Sequence, residues 1–325
     1  VVARDETGWI VSPVQVTYGL GALPGDGRPR AVTIGKFDGV HRGHQQVLRQ
    51  LIENSEGAEP TVITFDRHPY AVVKPNEVPR PVVSEAQKVE LLSRHGIKRV
   101  VVLAFDGELQ ALTHDEFSAR VLADGLSARL VLVGADFRYG NGGAGNADTL
   151  RAEGRHWGFR VDAIADVCEA GGQRVSSTMI RRALDAGKVA EVWGLLGRYH
   201  SVRGSVGSGF QRGRVLGYPT ANLAAAVEGY IPADGVYATR VRHKGAVYSA
   251  ATSIGLNPTF GDVDERTIES HLFDVEIDLY DEQIIVEFVE FIRGMQKFPD
   301  ADALAAQMGR DEEQIRVILS QTRPA

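Results

Sequence analysis

The spacing of apolar positions divides the chain into two regimes. In the first half, short apolar runs alternate with stretches of helical periodicity. Residues 31–34, 61–65, 99–105, 129–133 and 159–165 read as strands. They are nearly continuous in apolar character, as expected of strands buried on both faces, so they predict a parallel sheet covered by helices. The intervening stretches carry helix signals. Ser84 with Gln87, and Thr113 with Glu116, have the spacing of capping boxes. Gly96, Gly125 and Gly187 stand where helices would end in the left-handed conformation.

Near Tyr199 the period changes. Residues 235–242, 246–254, 271–279 and 284–292 read as strands between turn residues, at the spacing of a small antiparallel barrel. Helical periodicity returns over 300–320, with Asp311 and Gln314 spaced as a second cap inside it. The pattern predicts one domain over 1–190 and another, with its own core, over 199–325.

Composition narrows the function classes. Of the 325 residues, 43% are hydrophobic and 24% charged, an ordinary globular balance that needs neither disulfide nor metal to hold a core. The formal net charge of -6 argues against non-specific nucleic-acid binding. A single cysteine, Cys168, excludes an intramolecular disulfide and suits a reducing cytoplasm. No apolar stretch approaches the roughly 20 residues of a membrane span. The first residues are charged and lack an apolar core, so no secretory signal is expected there. Oligomeric state is not legible.

The candidate chemistry begins at GKFDGVHRGH, residues 35–44, directly after the first apolar run. Gly35, Gly39 and Gly43 permit close approach of the backbone to a ligand. The helix start that follows offers unpaired N–H groups and a positive dipole end, which suits phosphate. His41 and His44, three residues apart, can face one side of the first turn. Together they can donate hydrogen bonds to phosphate oxygens and stabilise charge that develops during phosphoryl-type transfer. The plainer alternative is a glycine turn with two surface histidines, and a zinc site would need further ligands that are not nearby. TFDRHP, residues 64–69, follows the second run. Ser176, Ser177 and Thr178 place three hydroxyls at a helix start that carries Arg181 and Arg182. Capping needs only one hydroxyl, and Arg181, one turn in, can reach a phosphate. Residues 140–145 match G-x-G-x-x-G but trail their strand by several residues, which reads as a flexible loop and not as a dinucleotide fingerprint.

GKFDGVHRGH, TFDRHP, VGADFRYG (133–140) and VSSTMIR (175–181), in this order, resemble the N-terminal FMN adenylyltransferase module of the prokaryotic bifunctional riboflavin kinase/FAD synthetases. That module is a Rossmann-like member of the HxGH nucleotidyltransferases. The resemblance implies an ATP site that includes Gly35, Phe37, Asp38, Gly39, His41, Gly43, His44, Ser176, Ser177, Thr178 and Arg181. It implies a flavin region at Asp66, His68, Pro69, Asp136, Phe137 and Arg138. It also implies direct attack of the FMN phosphate on the α-phosphorus of ATP, with pyrophosphate leaving, so that the protein positions and neutralises. Two departures stand out. Arg67 replaces the usual proline, and the loop at 140–146 lacks the basic residue that relatives often carry.

Residues 207–222 read GSGFQRGRVLGYPTAN. Gly207, Gly209, Gly213 and Gly217 with Arg212 and Arg214 can cradle phosphates. Pro219 disfavours helix at Tyr218, so the following chain is extended and Thr220 and Asn222 project to one face. Their two neutral oxygens suit Mg²⁺ already held by nucleotide phosphates, although an isolated T-x-N is more simply a turn or cap. This stretch resembles the PTAN segment of riboflavin kinases, and the likeness continues through 232–238, 253–260 and 268–273. It implies an antiparallel six-stranded β-barrel with a C-terminal helix, following the α/β Rossmann-like domain. It also implies Thr220 and Asn222 at the metal, and Glu269 as the general base for the riboflavin 5′-hydroxyl. His271, on the same strand face, is the rival base. Asp281 stands where relatives commonly have glycine and is expected in a hairpin position with positive φ. The expected activity is phosphorylation of riboflavin to FMN with ATP and Mg²⁺, then adenylylation of FMN to FAD, with no nucleic-acid or membrane partner. The alternatives are an enzyme with one of the two activities, or a non-catalytic flavin- or nucleic-acid-binding regulator that uses Arg203, Arg212 and Arg214 as a basic patch.

Overall fold

The computed structural model describes residues 13–67, 77–164, 174–207, 218–224, 226–256 and 266–322. Among these, one compact unit comprises residues up to 81 and 85–176, and the other comprises 82–84 and the chain from 177 onward.

In the first unit, β1 (Gln15–Tyr18), β2 (Arg30–Ile34), β3 (Glu59–Phe65), β4 (Arg99–Leu103), β5 (Ala128–Gly134) and β8 (Arg160–Ile164) form one sheet in the order β1-β4-β3-β2-β5-β8. All its pairings are parallel. Every residue of β2 and β4 is buried, as their nearly continuous apolar runs predict. The helices include α1 (Arg42–Glu53), α2 (Glu85–Arg94), α3 (Gly107–Ala111), α4 (His114–Phe117) and α5 (Ala147–Trp157), with a π-helical turn at Ser118–Gly125. The chain runs from β2 outward to β3 and β4, then returns to β5 on the other side of β2. The strand order therefore reverses between β2 and β5, and the carboxyl ends of these strands border the crevice where such sheets take ligands.

Thr113 and Glu116 form the expected capping box. Gly96 and Gly187 have positive φ, as expected of helix ends, but Gly125 does not; the left-handed residue there is Ser127, at φ 48°. Gly125 is needed for space instead, since a Cβ would lie 2.6 Å from Leu23 Cδ1. β1 was not foreseen, because four residues with two polar positions carry no readable period.

In the second unit, α6 (Ser177–Asp185) and α7 (Val189–Leu196) precede β9 (His200–Gly207), β10 (Ala221–Leu223), β11 (Gly235–His243), β12 (Ala246–Leu256), β13 (Arg266–Leu272) and β14 (Gln283–Arg293). The strands close into an antiparallel barrel in the order β10-β13-β12-β11-β14-β9, and α8 (Ala301–Gln321) follows. The buried hydroxyls of Thr239, Thr252 and Ser270 form a chain at 2.7 and 2.8 Å across three neighbouring strands. Each therefore has a partner away from water. Ala238 and Val289 cluster with Ile315 and Leu319 of α8. This explains why β11 is buried along almost its whole length and does not show a clean alternation.

The structure departs from two further expectations. The strand placed at 271–279 is Arg266–Leu272, and the chain turns at once through Asp274 at φ 57°. The alternation of Val275, Ile277 and Leu279 imitates a strand without pairing. Asp311 is not an internal cap, because α8 runs without interruption from Ala301 to Gln321. Its carboxylate is buried and takes the Arg293 guanidinium at 2.8–3.1 Å, with Gln307 Nε2 donating at 2.7 Å. Asp281 has the predicted positive φ of 60°.

Candidate active sites

The turn between β2 and α1 is held in an unfavourable backbone. Phe37 and Val40 have φ of 49° and 41°, a region costing such residues about 1–3 kcal/mol each. Burial opposes that cost, since Phe37 is 2% exposed and Val40 fully buried. His41 caps α1 by accepting the His44 N–H on its Nδ1 at 3.4 Å. An accepting Nδ1 carries no hydrogen, so the neutral His41 ring has its proton on Nε2. The His41 and His44 rings stack with centroids 3.7 Å apart, and Phe37 flanks His44 at 5.0 Å. His44 Nδ1 is buried without a partner among the described residues. Desolvation foremost, then the charges of His41, Lys36, Arg174 and Lys88, holds His44 well below the usual imidazole range. Both expected histidines thus sit at the crevice, and His44 is a neutral hydrogen-bonding group.

The cations around His44 come from separate elements. Lys88 projects from α2 with Nζ 3.3 Å from Thr64 Oγ1 and 3.5 Å from the Phe65 carbonyl. Desolvation lowers its proton affinity, partly countered by Asp38, Glu85 and Asp66. Arg174 pairs with Asp136 at 2.6 Å, just beyond β5, and this bond holds the Asp136 carboxyl below its ordinary value. Desolvation pushes Asp66 upward, but Arg67 and the Phe105 N–H outweigh it, so its carboxyl also lies below the usual range. Arg67, the departure from the family string, thus turns back onto its neighbour Asp66 at 2.9 Å. Lys88 and Arg174 escaped the sequence reading because neither belongs to a recognisable local pattern. Only the sheet order brings them to His44.

Phe137 stacks on Tyr139 with centroids 5.3 Å apart, while Arg138 is exposed. The glycine loop read as flexible is a defined turn between β6 (Arg138–Tyr139) and β7 (Gly145–Asn146), ending in Asn146 as the cap of α5. Gly140 has φ 73°, and a Cβ there would lie 2.6 Å from the His114 nitrogen. Ser176 closes the first unit. Ser177, Thr178 and Arg181 lie on α6 in the second unit, where Arg181 donates to Thr178 Oγ1 at 3.3 Å. His68 and Pro69 lie outside the described residues.

On the barrel, pairing registers assemble the second constellation. Gly207, Asn222, Glu269 and Ser253 stand opposite one another across β9, β10, β13 and β12. Asn222 Nδ2 donates to Thr220 Oγ1 at 3.1 Å, so these side chains do share a face. His271 Nδ1 meets the Pro219 carbonyl at 2.8 Å. A carbonyl only accepts, so Nδ1 bears the hydrogen and Nε2 the lone pair. Tyr218 packs edge-on against the His271 ring at 5.0 Å. His271 thus holds the 218–220 segment, while Glu269 faces Asn222 directly in the ladder. Arg203 does not contribute to a basic patch, being 8% exposed and paired with Glu228 at 2.8 Å. Gly209, Arg212, Gly213, Arg214 and Gly217 lie outside the described residues.

Comparison with known proteins places these two sites in context. Residues 24–179 match the family described as FAD synthetase, and residues 196–319 the family described as riboflavin kinase. The chain is 35% identical over 297 residues to the bifunctional riboflavin kinase/FMN adenylyltransferase of Escherichia coli strain K12, covering 90% of this chain and 94% of that protein. It is 35% identical over 307 residues to the protein of the same name from Pseudomonas fluorescens, covering 94% and 98%. A crystal structure from Streptococcus pneumoniae, described as a macrolide-efflux protein, superposes with a TM-score of 0.85 at 31% identity, covering 93% of this chain and 99% of that one. The parallel-sheet crevice, the closed barrel, the two family matches and 35% identity over at least 90% of the chain together establish that this chain belongs to the bifunctional riboflavin kinase/FMN adenylyltransferase family.

Proposed function

We propose that this protein phosphorylates riboflavin to FMN with ATP and then adenylylates FMN to FAD with release of pyrophosphate. The observation that carries the reading is that one chain holds both halves: stacked histidines at the crevice of a parallel sheet, and an oxygen-rich row on a closed barrel. We assign adenylylation to residues 1–190 and phosphorylation to 199–325.

In adenylylation, an FMN phosphate oxygen attacks the α-phosphorus of ATP and the electron pair leaves with pyrophosphate. His41 and His44 bind phosphate oxygens as hydrogen-bond donors, His44 as a neutral ring, next to backbone N–H groups at the start of α1. The remaining ATP contacts are Gly35, Phe37, Asp38, Gly39, Gly43, Ser176, Ser177, Thr178 and Arg181. The flavin region comprises Asp66, His68, Pro69, Asp136, Phe137 and Arg138. Because the turn is already held in place, little reorganisation accompanies charge development.

In phosphorylation, Glu269 accepts the proton of the riboflavin 5′-hydroxyl as its oxygen attacks the γ-phosphorus and ADP leaves. Gly207, Gly209, Arg212, Gly213, Arg214, Gly217 and Pro219 belong to the nucleotide-binding stretch. Thr220 and Asn222 would hold Mg²⁺, which supplies charge neutralisation at the phosphates when bound. Their donor chemistry fits, being hard oxygens in adjacent positions. With two neutral oxygens from the chain, such a cation would take its remaining ligands from nucleotide phosphates and water.

The pairing of Arg203 with Glu228 weakens the nucleic-acid reading, and the single cysteine fits a reducing cytoplasm. The efflux description stays with the S. pneumoniae protein; among the described residues no helix is long and apolar enough to cross a membrane. Incubation with riboflavin, ATP and Mg²⁺, followed by chromatography of the flavins, tests the proposal. FMN and FAD both accumulate if it holds. One product alone leaves a single-activity enzyme, and neither product overturns it.

A further inference from the structure

Adenylylation leaves negative charge on the departing pyrophosphate, and His44 answers it only as a neutral donor. A full positive charge beside them would stabilise it far more in a site sheltered from water. Arg174 is already ion-paired to Asp136 at 2.6 Å. Lys88 is placed differently. Its ammonium has three N–H donors, but its acceptors are Thr64 Oγ1 at 3.3 Å and the Phe65 carbonyl at 3.5 Å. Both are long against the usual range of about 2.7–3.2 Å. No carboxylate among the described residues hydrogen-bonds to it, although Asp38, Glu85 and Asp66 act on it electrostatically. Thr64 Oγ1 donates onward to the Lys36 carbonyl at 3.1 Å, so the ammonium is anchored at the foot of the strained turn. A partly buried cation with weak partners is costly unless an anion completes its shell. Lys88 lies on α2 and His44 on α1, yet each is close enough for the Lys88 charge to act on the imidazole.

We propose that Lys88 contacts the polyphosphate chain of ATP and neutralises the departing pyrophosphate during FMN adenylylation. The inference rests on the adenylyltransferase reading above. The bond from the FMN phosphate oxygen to the α-phosphorus forms, the bond from the α-phosphorus to the bridging oxygen breaks, and its electron pair stays on pyrophosphate. Lys88 keeps its proton and donates hydrogen bonds.

The test compares Lys88→Arg with Lys88→Gln in the full chain, since both alter packing but only one keeps the charge. FAD formation from supplied FMN falls roughly 10²-fold in Lys88→Gln, and Lys88→Arg recovers a substantial part. FMN formation from riboflavin is at the parental rate in both. Inorganic pyrophosphate serves as a second probe: its inhibition of FAD formation, and its protection against thermal unfolding, weaken about tenfold in Lys88→Gln and less in Lys88→Arg. Equal FAD formation by the two variants, or pyrophosphate inhibition unchanged in Lys88→Gln, overturns the proposal. A parent that makes no FAD from FMN counts instead against the adenylyltransferase reading, so the two failures are distinguishable.

Discussion

His44 is half-buried and neutral, and its ring lies between those of His41 and Phe37. Removing that ring takes away both its N–H and the stacking partner of His41. His44→Ala should therefore abolish FAD formation while FMN formation continues, as chromatography of reaction mixtures will show. Unchanged adenylylation would remove the histidine from the phosphate site. On the barrel, the ladder puts Glu269 opposite Asn222, whereas His271 spends its Nδ1 hydrogen on Pro219. Glu269→Gln preserves shape but cannot take a proton, so kinase turnover should fall by about 10²–10⁴-fold with little change in substrate binding. His271→Asn should be milder. A near-parental rate in Glu269→Gln with loss in His271→Asn would reverse the assignment. Asn222→Ala should raise the Mg²⁺ concentration needed for half-maximal kinase activity and leave adenylylation intact; identical Mg²⁺ titrations would exclude Asn222 as a ligand.

Arginines on two barrel strands help to fasten the last helix, beside the pairing of its own Arg316 with Asp274. Arg293 of β14 grips Asp311 at mid-helix, and Arg240 of β11 donates to the Leu319 and Thr322 carbonyls at its carboxyl end. The second contact satisfies carbonyls that lack helical partners and complements the helix dipole. Asp311→Ala leaves a half-buried guanidinium without its counter-charge, a change worth at most about 3–5 kcal/mol. The denaturation midpoint of the barrel unit should drop accordingly in urea titrations followed by kinase activity. A shift below about 1 kcal/mol would show that water or another carboxylate replaces the pair.

The barrel unit includes more than its strands. Ile180, Leu184, Val189, Val192, Leu195 and Leu196 of α6 and α7 are buried. The helices are tied to the unit by the Ala233 N–H to the Leu184 carbonyl at 2.9 Å and by Tyr230 to Asp185 at 2.6 Å. At about 1.5–3 kcal/mol for each large apolar side chain, a fragment of residues 177–325 should unfold at markedly higher urea than one of 199–325. Equal midpoints would mean that the helices are dispensable. Stability should also respond to acid through His200. Desolvation lowers its pKa to about 4, against some support from the Tyr230 carbonyl. Below pH 6.5 the unfolded chain binds a proton that the folded chain refuses, so stability declines as pH falls from 6.5 to about 4 and this contribution then levels off. The loss reaches at most about 3 kcal/mol. His200→Gln should flatten the pH dependence of the unfolding midpoint over that window; an unchanged slope would assign it to other groups.

The fold class was legible because long apolar runs and abrupt changes of period are local consequences of burial: β2, β4 and β5 announce a covered parallel sheet. The string at 35–44 was legible because phosphate binding at a strand-to-helix turn needs its residue types close together. Where a local pattern had two causes, the sequence misled. The alternation at 275–279 imitated a strand, and Asp311 imitated a cap. Short β1 and the both-face burial of β11 left no clear period. What the sequence determined by itself was therefore the identity and order of the elements whose burial is periodic. Tertiary structure decided the charge of His44, the partner of Asp311, the row that joins Asn222 to Glu269 and the approach of Lys88 to the crevice. Those depend on strand order, pairing register and desolvation, which bring together groups far apart in the chain and carry no signature in any short stretch of it.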